Sequence, residues 1–334
     1  MVIVTGATGH IGNVLVRELL KQGEQVRVLI RPGSTELPLD GLNVEKVYGD
    51  IRNIEDLRKA FLGMEVVYHL AAIISIFPGI DPELANVNIE GTKNIGKVCI
   101  ELKIPKLVYT SSVHAISDHP HGSEITEEVP ICIKNAIGKY GKTKAAATLA
   151  ILDMVKNDNL PAVIVQPAGV IGPYDYMPSQ LGLVYNFMIN GLFMGMAGAY
   201  NFVDVRDVVN GIILAGKKGK IGERYILSGH LLSIQEKKRV IDEILNRKHF
   251  YISSPKFLCY IGSFFLSPFY KPLNLIPILT NESLEILFSN ADLKSDKAQK
   301  ELGYTIRPFK ETMTDIINWT KKNKHLWKKT KHQI

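Results

Sequence analysis

The first twenty-one residues restrict this chain more than any other stretch. An apolar run, Val2–Thr5, passes straight into TGATGHIG, where Gly6, Gly9 and Gly12 stand in G-x-x-G-x-x-G spacing, and residues 11–21 continue with helical periodicity. Strand, glycine turn and helix in that order form a receptor for a dinucleotide. Glycine permits positive φ and lets the backbone approach a pyrophosphate, whose charge meets the N–H groups and dipole at the helix start. Short apolar runs then recur at 25–31, 44–48, 65–70, 107–110 and 162–166, separated by amphipathic segments such as 88–102. This alternation predicts an α/β chain: a doubly wound parallel-sheet Rossmann fold with helices on both faces. After about Pro173 the pattern changes to helical spacing at 180–188 and 205–214, a strand-like Arg224–Leu227, and mostly helix to the end. The expected organisation is a dinucleotide-binding domain over 1–173, its sheet taking in parts of 200–228, and a smaller, mainly helical substrate lobe over 174–334.

Composition narrows the partners. The formal charge of +7 resides in the tail: Lys321, Lys322, Lys324, Lys328, Lys329 and Lys331 all follow Asp315, the last acidic residue, and leave the rest near neutrality. A basic face for nucleic acid is therefore not expected, and the tail reads as a solvated helix end. The three cysteines, Cys99, Cys132 and Cys259, are odd in number and far apart, which argues for a reducing compartment and against a disulfide framework or a metal site. No metal is predicted. With Val2, Ile3 and Val4 directly after Met1 there is no leader-like pattern, and a cytoplasmic protein is expected. The most apolar stretch, 257–279, is broken by Pro268, Lys271, Pro272 and Pro277, and its uninterrupted part is shorter than the ~20 residues of a membrane span. It is read as a lobe wall, with membrane contact the less favoured option.

Two further features carry chemistry. Arg31 ends the second predicted strand, where an NAD-specific Rossmann protein usually has an acid for the ribose 2′-hydroxyl. A guanidinium suits a 2′-phosphate, so NADP(H) is preferred and NAD(H) remains possible. Tyr140 and Lys144, at i and i+4 in YGKTK, share one helix face. A phenol is a poor acid or base at neutral pH, and a neighbouring ammonium together with an oxidised nicotinamide favours its phenolate. Tyr140 can then exchange a hydroxyl proton as a hydride moves, while Ser112, at the end of LVYTSS, hydrogen-bonds the same substrate oxygen.

With these motifs the chain resembles an extended short-chain dehydrogenase/reductase of the NAD-dependent epimerase/dehydratase superfamily. The likeness also rests on GDI at 49–51, HLAA at 69–72, NIEGTKN at 88–94, QPAGVIGP at 166–173 and NFVDVRDVVNG at 201–211. Within the family, Arg31, YTSS and KAQKELGYTIRPFKETMTDIINW look most like dihydroflavonol 4-reductase-like and 3β-hydroxysteroid dehydrogenase-like members. The resemblance implies a catalytic set of Ser112, Tyr140 and Lys144, with Asn88 holding the lysine through water. For the cofactor it implies Gly6, Thr8, Gly9, His10 and Ile11 at the glycine turn, Asp50 and Ile51 at adenine, and Leu70, Ala71 and Ala72 along it. Pro167 and Val170 complete that set, the backbone after Pro167 lying near the carboxamide. Two positions depart from the family pattern: Gln166 stands where arginine is common and Thr148 where many relatives have glutamate.

Other residues invite functional readings that the pattern does not support. His69, His114 and His121 lack ligand spacing and are assigned no catalysis. Met188, Met194 and Met196, near Phe187 and Phe193, are expected to wall the substrate cavity. Asp204 and Asp207 are expected to cap a helix. The function that follows is transfer of a hydride between the nicotinamide and a carbonyl or secondary alcohol of a small lipophilic molecule, by a protein that pairs as a homodimer if it follows its relatives. A nucleotide-sugar epimerase holding NAD and a non-catalytic dinucleotide sensor are the alternatives.

Overall fold

The computed structural model describes residues 1–74, 82–177, 179–191, 193–196, 198–270 and 279–329. In chain order the first half runs β1 (Val2–Thr5), α1 (His10–Lys21), β2 (Val26–Ile30), β3 (Glu45–Tyr48), α2 (Ile54–Phe61) and β4 (Val66–His69). It continues through α3 (Pro82–Ala85), a π-helical turn at Asn86–Gly91, α4 (Thr92–Glu101), β5 (Lys106–Thr110), α5 (Gly138–Asp158) and β6 (Ala162–Pro167). The remainder runs β7 (Gly169–Ile171), α6 (Gln180–Asn190), β8 (Phe193–Met196), β9 (Ala199–Asp204), α7 (Val205–Lys218), β10 (Arg224–Leu227), β11 (His230–Ser233) and α8 (Ile234–Leu245). Then come β12 (Tyr251–Ser254), α9 (Lys256–Leu266), α10 (Asn281–Phe288), α11 (Asp296–Leu302), α12 (Phe309–Lys322) and α13 (Lys324–Lys329).

The main sheet has seven parallel strands in the order β10-β6-β5-β4-β1-β2-β3. Period-two alternation divides its side chains between two apolar layers. Val2, Val4, Val108, Val163 and Val165 face α1 and α7, whereas Ile3, Leu107, Tyr109, Ala162 and Ile164 face α2, α4 and α5. Strand order reverses between β1 and β4, so the chain segments leaving these strands diverge and open a crevice at the carboxyl edge of the sheet.

The rest is less helical than its spacing suggests, because β7, β9 and β11 form a second small sheet and β8 pairs with β12. Beneath them Tyr185, Met188, Phe202, Ile241, Met313 and Ile317 form a separate core. Asp204 caps α7 by accepting from Arg206 N at 2.8 Å. Asp207 accepts from the Arg307 Nε and main-chain N at 2.8 and 2.9 Å, tying the start of α12 to α7. Among the described residues no helix is long and apolar enough to cross a membrane. Of the wall expected near residue 190, Met188 is buried. The side chains of Phe187, Phe193, Met194 and Met196 lie outside the described residues, as do residues 271–278 and Lys331.

Candidate active site

The glycine turn leaves β1 against the segment that leaves β4. Gly6 adopts φ +72°, and a Cβ there would come within 2.7 Å of the Ala71 amide nitrogen, so only glycine permits this contact. Leu70 and Ala71 donate their main-chain N–H to Thr5 Oγ1 at 3.3 Å. The same hydroxyl meets His69 Nδ1 at 2.8 Å, and His69 Nε2 meets Thr92 Oγ1 at 3.0 Å. His69 is thus a buried clamp, its pKa pushed down to about 3 by burial and then by the Lys144 charge.

The start of α1 is open to a phosphate. Its first turn holds no acid and its N-cap, Gly9, supplies no side chain. A Cβ at Gly9 would meet nothing of the protein but Gly6 O at 3.3 Å, so the surface over the turn is bare backbone with the positive end of a helix dipole behind it. Thr8, His10 and Ile11 are partly exposed around this surface, and His10 Nε2 lies 2.9 Å from Pro173 O, the end of the QPAGVIGP run. These residues fit a bound pyrophosphate.

Farther along the crevice, Arg31 directly follows β2 and is exposed, its guanidinium making no hydrogen bond or ion pair among the described residues. Asp50 lies near it, with its carboxyl held below the usual range mainly by Arg52, whose Nη2 is 2.7 Å away. Ile51 is buried against Gly91, and Asn94 Nδ2 donates to the Arg52 carbonyl at 3.1 Å. Pro167 ends β6 opposite Leu227, and Val170 sits partly buried on β7.

The reactive side chains meet beyond β5. Ser112 caps a single turn, accepting from His114 N at 3.2 Å, and Tyr140 stands in the first turn of α5. The helix approaches closely because Gly141 has no side chain: a Cβ there would lie 2.6 Å from His114 O. The approach brings Ser112 into hydrogen-bonding contact with the Tyr140 phenol. Burial pushes that phenol up to about 12, opposed by the Ser112 bond, so the protein alone holds it protonated. Lys144 is buried, donates from Nζ to Thr110 O at 2.7 Å and lies 4.6 Å from the Tyr109 ring centre. Burial pushes its ammonium down to about 7.

Asn88 is fully enclosed. Its Oδ1 accepts from Ile73 N at 2.8 Å, and its Nδ2 donates to Ile73 O at 2.9 Å and Thr143 Oγ1 at 3.0 Å, one residue from the lysine. The two departures from the family pattern are met locally. Thr148 bonds Ser111 Oγ at 2.6 Å and the Lys144 carbonyl at 2.7 Å, and Gln166 Nε2 donates to Ser112 O at 3.3 Å.

The fold adds three neighbours that sequence spacing did not reveal. His114 Nε2 lies 2.9 Å from the Tyr200 hydroxyl, and its ring stands edge-on to Tyr140 at 6.2 Å. Burial depresses its pKa to about 4. Both residues line a cavity of about 30 Å³ together with Val113, Ile116 and Ile137. The third is Glu282, whose Oε1 accepts from Lys139 N at 2.8 Å and which also bonds the Tyr140 main chain. It caps α5 from across the lobe where that helix has no side-chain cap of its own. His114 was legible only as a residue two places after Ser112. Tyr200 and Glu282 had no signal, because tertiary contact brings them in. Among the described residues no three His, Cys, Asp or Glu side chains gather as a metal site.

A glycine-turn crevice facing a Ser/Tyr/Lys cluster defines a Rossmann enzyme that works on a nicotinamide dinucleotide. The model of the NAD dependent epimerase/dehydratase family matches residues 2–228, and the chain belongs to that family. It is an NAD(P)-dependent oxidoreductase of the extended short-chain type. It is 33% identical to sterol demethylase protein B of Methylococcus capsulatus over 321 residues, 95% of this chain and 97% of the relative. It is 29% identical to cinnamoyl-CoA reductase 1 of Oryza sativa, over 74% of this chain and 76% of the relative. The crystal structure of gox2253 superposes with TM-score 0.84 at 31% identity, covering 96% of this chain and 98% of that one.

Proposed function

We propose that the protein is an NADP(H)-preferring reductase that passes a hydride between the nicotinamide and a carbonyl or secondary alcohol of a small lipophilic substrate, with Tyr140 carrying the proton. The observation that carries this reading is the Tyr140–Ser112 hydrogen bond, two strands across the sheet edge from the glycine turn and one helical turn from Lys144. Gly6, Thr8, Gly9, His10 and Ile11 would hold the pyrophosphate, Arg31 the 2′-phosphate, and Asp50 and Ile51 the adenine. Leu70, Ala71, Ala72, Pro167 and Val170 would line the rest of the groove. When bound, the nicotinamide supplies or accepts the hydride.

The side chains divide the remaining work. A phenol held protonated by burial is the form that gives its proton to a carbonyl oxygen as the carbon is reduced, and the reverse transfer serves alcohol oxidation. Ser112 donates to the oxygen on which charge develops, and the Lys144 cation favours the phenolate that remains. Asn88 positions this machinery by fixing the Ile73 backbone and Thr143. The aromatic and aliphatic lining beside His114 and Tyr200, together with relatives named for a sterol and for cinnamoyl-CoA, supports a lipophilic substrate.

The test is loss of nicotinamide absorbance during incubation with NADPH and a panel of ketones and aldehydes. Consumption with at least one lipophilic carbonyl is expected, at a rate that falls when NADH replaces NADPH. Interconversion of sugar nucleotides without net cofactor change would make the protein an epimerase, and binding without turnover on either panel would make it a sensor.

A further inference from the structure

Helix α9 is inside out. It turns Cys259 and Ser263 toward the protein, and Ser263 Oγ donates to Asn281 Oδ1 at 2.9 Å. Its large apolar side chains point the other way: Phe264 is 72% exposed, Phe265 65%, Phe257 62% and Ile261 48%. A surface helix in water normally buries such residues, and contiguous exposed apolar area of this kind marks an interaction surface. The loop leading toward the helix adds Phe250, 68% exposed.

The charge around this face has one sign. From residue 244 to residue 281 the sequence has Arg247, Lys248, Lys256 and Lys271 and no Asp or Glu. Nearby acids are engaged elsewhere: Asp242 with Lys238 and His249, Glu243 with Lys310, and Glu282 with the start of α5. On α10 Glu285 faces Tyr260, on the side where α9 packs.

We propose that the exposed phenylalanine face of α9, rimmed by Arg247, Lys248 and Lys256, docks on an anionic lipid bilayer, with the helix lying in the interface. The apolar side chains enter the headgroup and acyl boundary while the cations meet lipid phosphates. A second copy of the chain fits less well. A two-fold contact would set this patch against itself and oppose the same basic residues with no carboxylate to pair them. The docking surface adjoins the catalytic centre, since Asn281 holds α9 and the next residue, Glu282, holds the backbone of Lys139 and Tyr140. The proposal stands on the helix and its charges and does not require the substrate assignment above.

Co-sedimentation of the full chain with vesicles of phosphatidylcholine containing phosphatidylglycerol tests it. Wild type is expected to pellet with these vesicles, less with phosphatidylcholine alone and less at high salt. Phe264→Gln with Phe265→Gln should weaken binding at least about tenfold, with NADPH binding and circular dichroism unchanged. Lys248→Glu with Lys256→Glu, which leaves the apolar face intact, should abolish the preference for the anionic vesicles. The proposal is overturned if wild type stays in the supernatant with the anionic vesicles, or if the phenylalanine variant binds as tightly as wild type. It is also overturned if lipid-free wild type is a dimer that the phenylalanine variant splits, which would assign the face to a second copy.

Discussion

Strand β5 and helix α9 are both apolar segments, and they use that property in opposite ways. In β5, Leu107, Val108 and Tyr109 are wholly buried, each between a neighbouring strand and a helical layer. In α9 the buried residues are a cysteine and a serine, and the phenylalanines face outward. Hydrophobicity translates into burial only where the fold supplies covering surface. Beside β5 two layers of helices supply it, whereas α10 covers one narrow stripe of α9.

The largest effect that would test this contrast is chemical, because the β5 region carries the reactive cluster. Tyr140→Phe is expected to cut turnover by ~10²–10⁴-fold while NADPH binding, followed by fluorescence, stays close to wild type. Wild-type rates in that variant would remove the site assignment. A pair of core and lobe substitutions comes next. Ile164→Ala in the sheet should cost about 2–5 kcal/mol in urea unfolding, whereas Phe264→Gln on α9 should change stability by no more than about 0.5 kcal/mol. Equal losses would mean that α9 is packed as tightly as the sheet. Arg31→Asp should reverse cofactor preference, changing the NADPH/NADH affinity ratio by roughly tenfold or more in titration. An unaltered ratio would take selectivity away from this position.

The smallest effect concerns pH. Burial brings the Lys144 ammonium down to about 7 from an ordinary value of 10.5. Between those values the unfolded chain binds more protons at this position than the folded one, so folding stability should rise with pH across that window. Below about 7 both states carry the charge and the full desolvation cost is present. The melting temperature of wild type minus that of Lys144→Met should therefore climb from neutral pH toward 10.5, and a flat difference would show that the lysine is not desolvated.

Much of the nucleotide-binding half was legible because its signals are local. The glycine turn, the alternating apolar runs and the i, i+4 spacing of Tyr140 and Lys144 each depend on residues close in sequence, and β1, β2, β4 and α1 fall within a residue or two of their expected bounds. Residues 88–102 came out partly as a π-helical turn, which places Asn88 against Ile73 and Thr143, and no periodicity argument could show that contact. The small sheets at β7–β12 escaped for the same reason, since short strands acquire their identity from partners far along the chain.

Sequence alone determined the parallel sheet, the dinucleotide turn and the spacing of the reactive pair, because strand and helix periods and glycine's freedom operate over a few residues. Tertiary structure decided that Ser112 would touch Tyr140, that Glu282 would cap α5 from 143 residues away, and that the phenylalanines of α9 would face outward. Those outcomes depend on which surfaces are left to cover which. Such competition among distant segments is settled only when the whole chain packs.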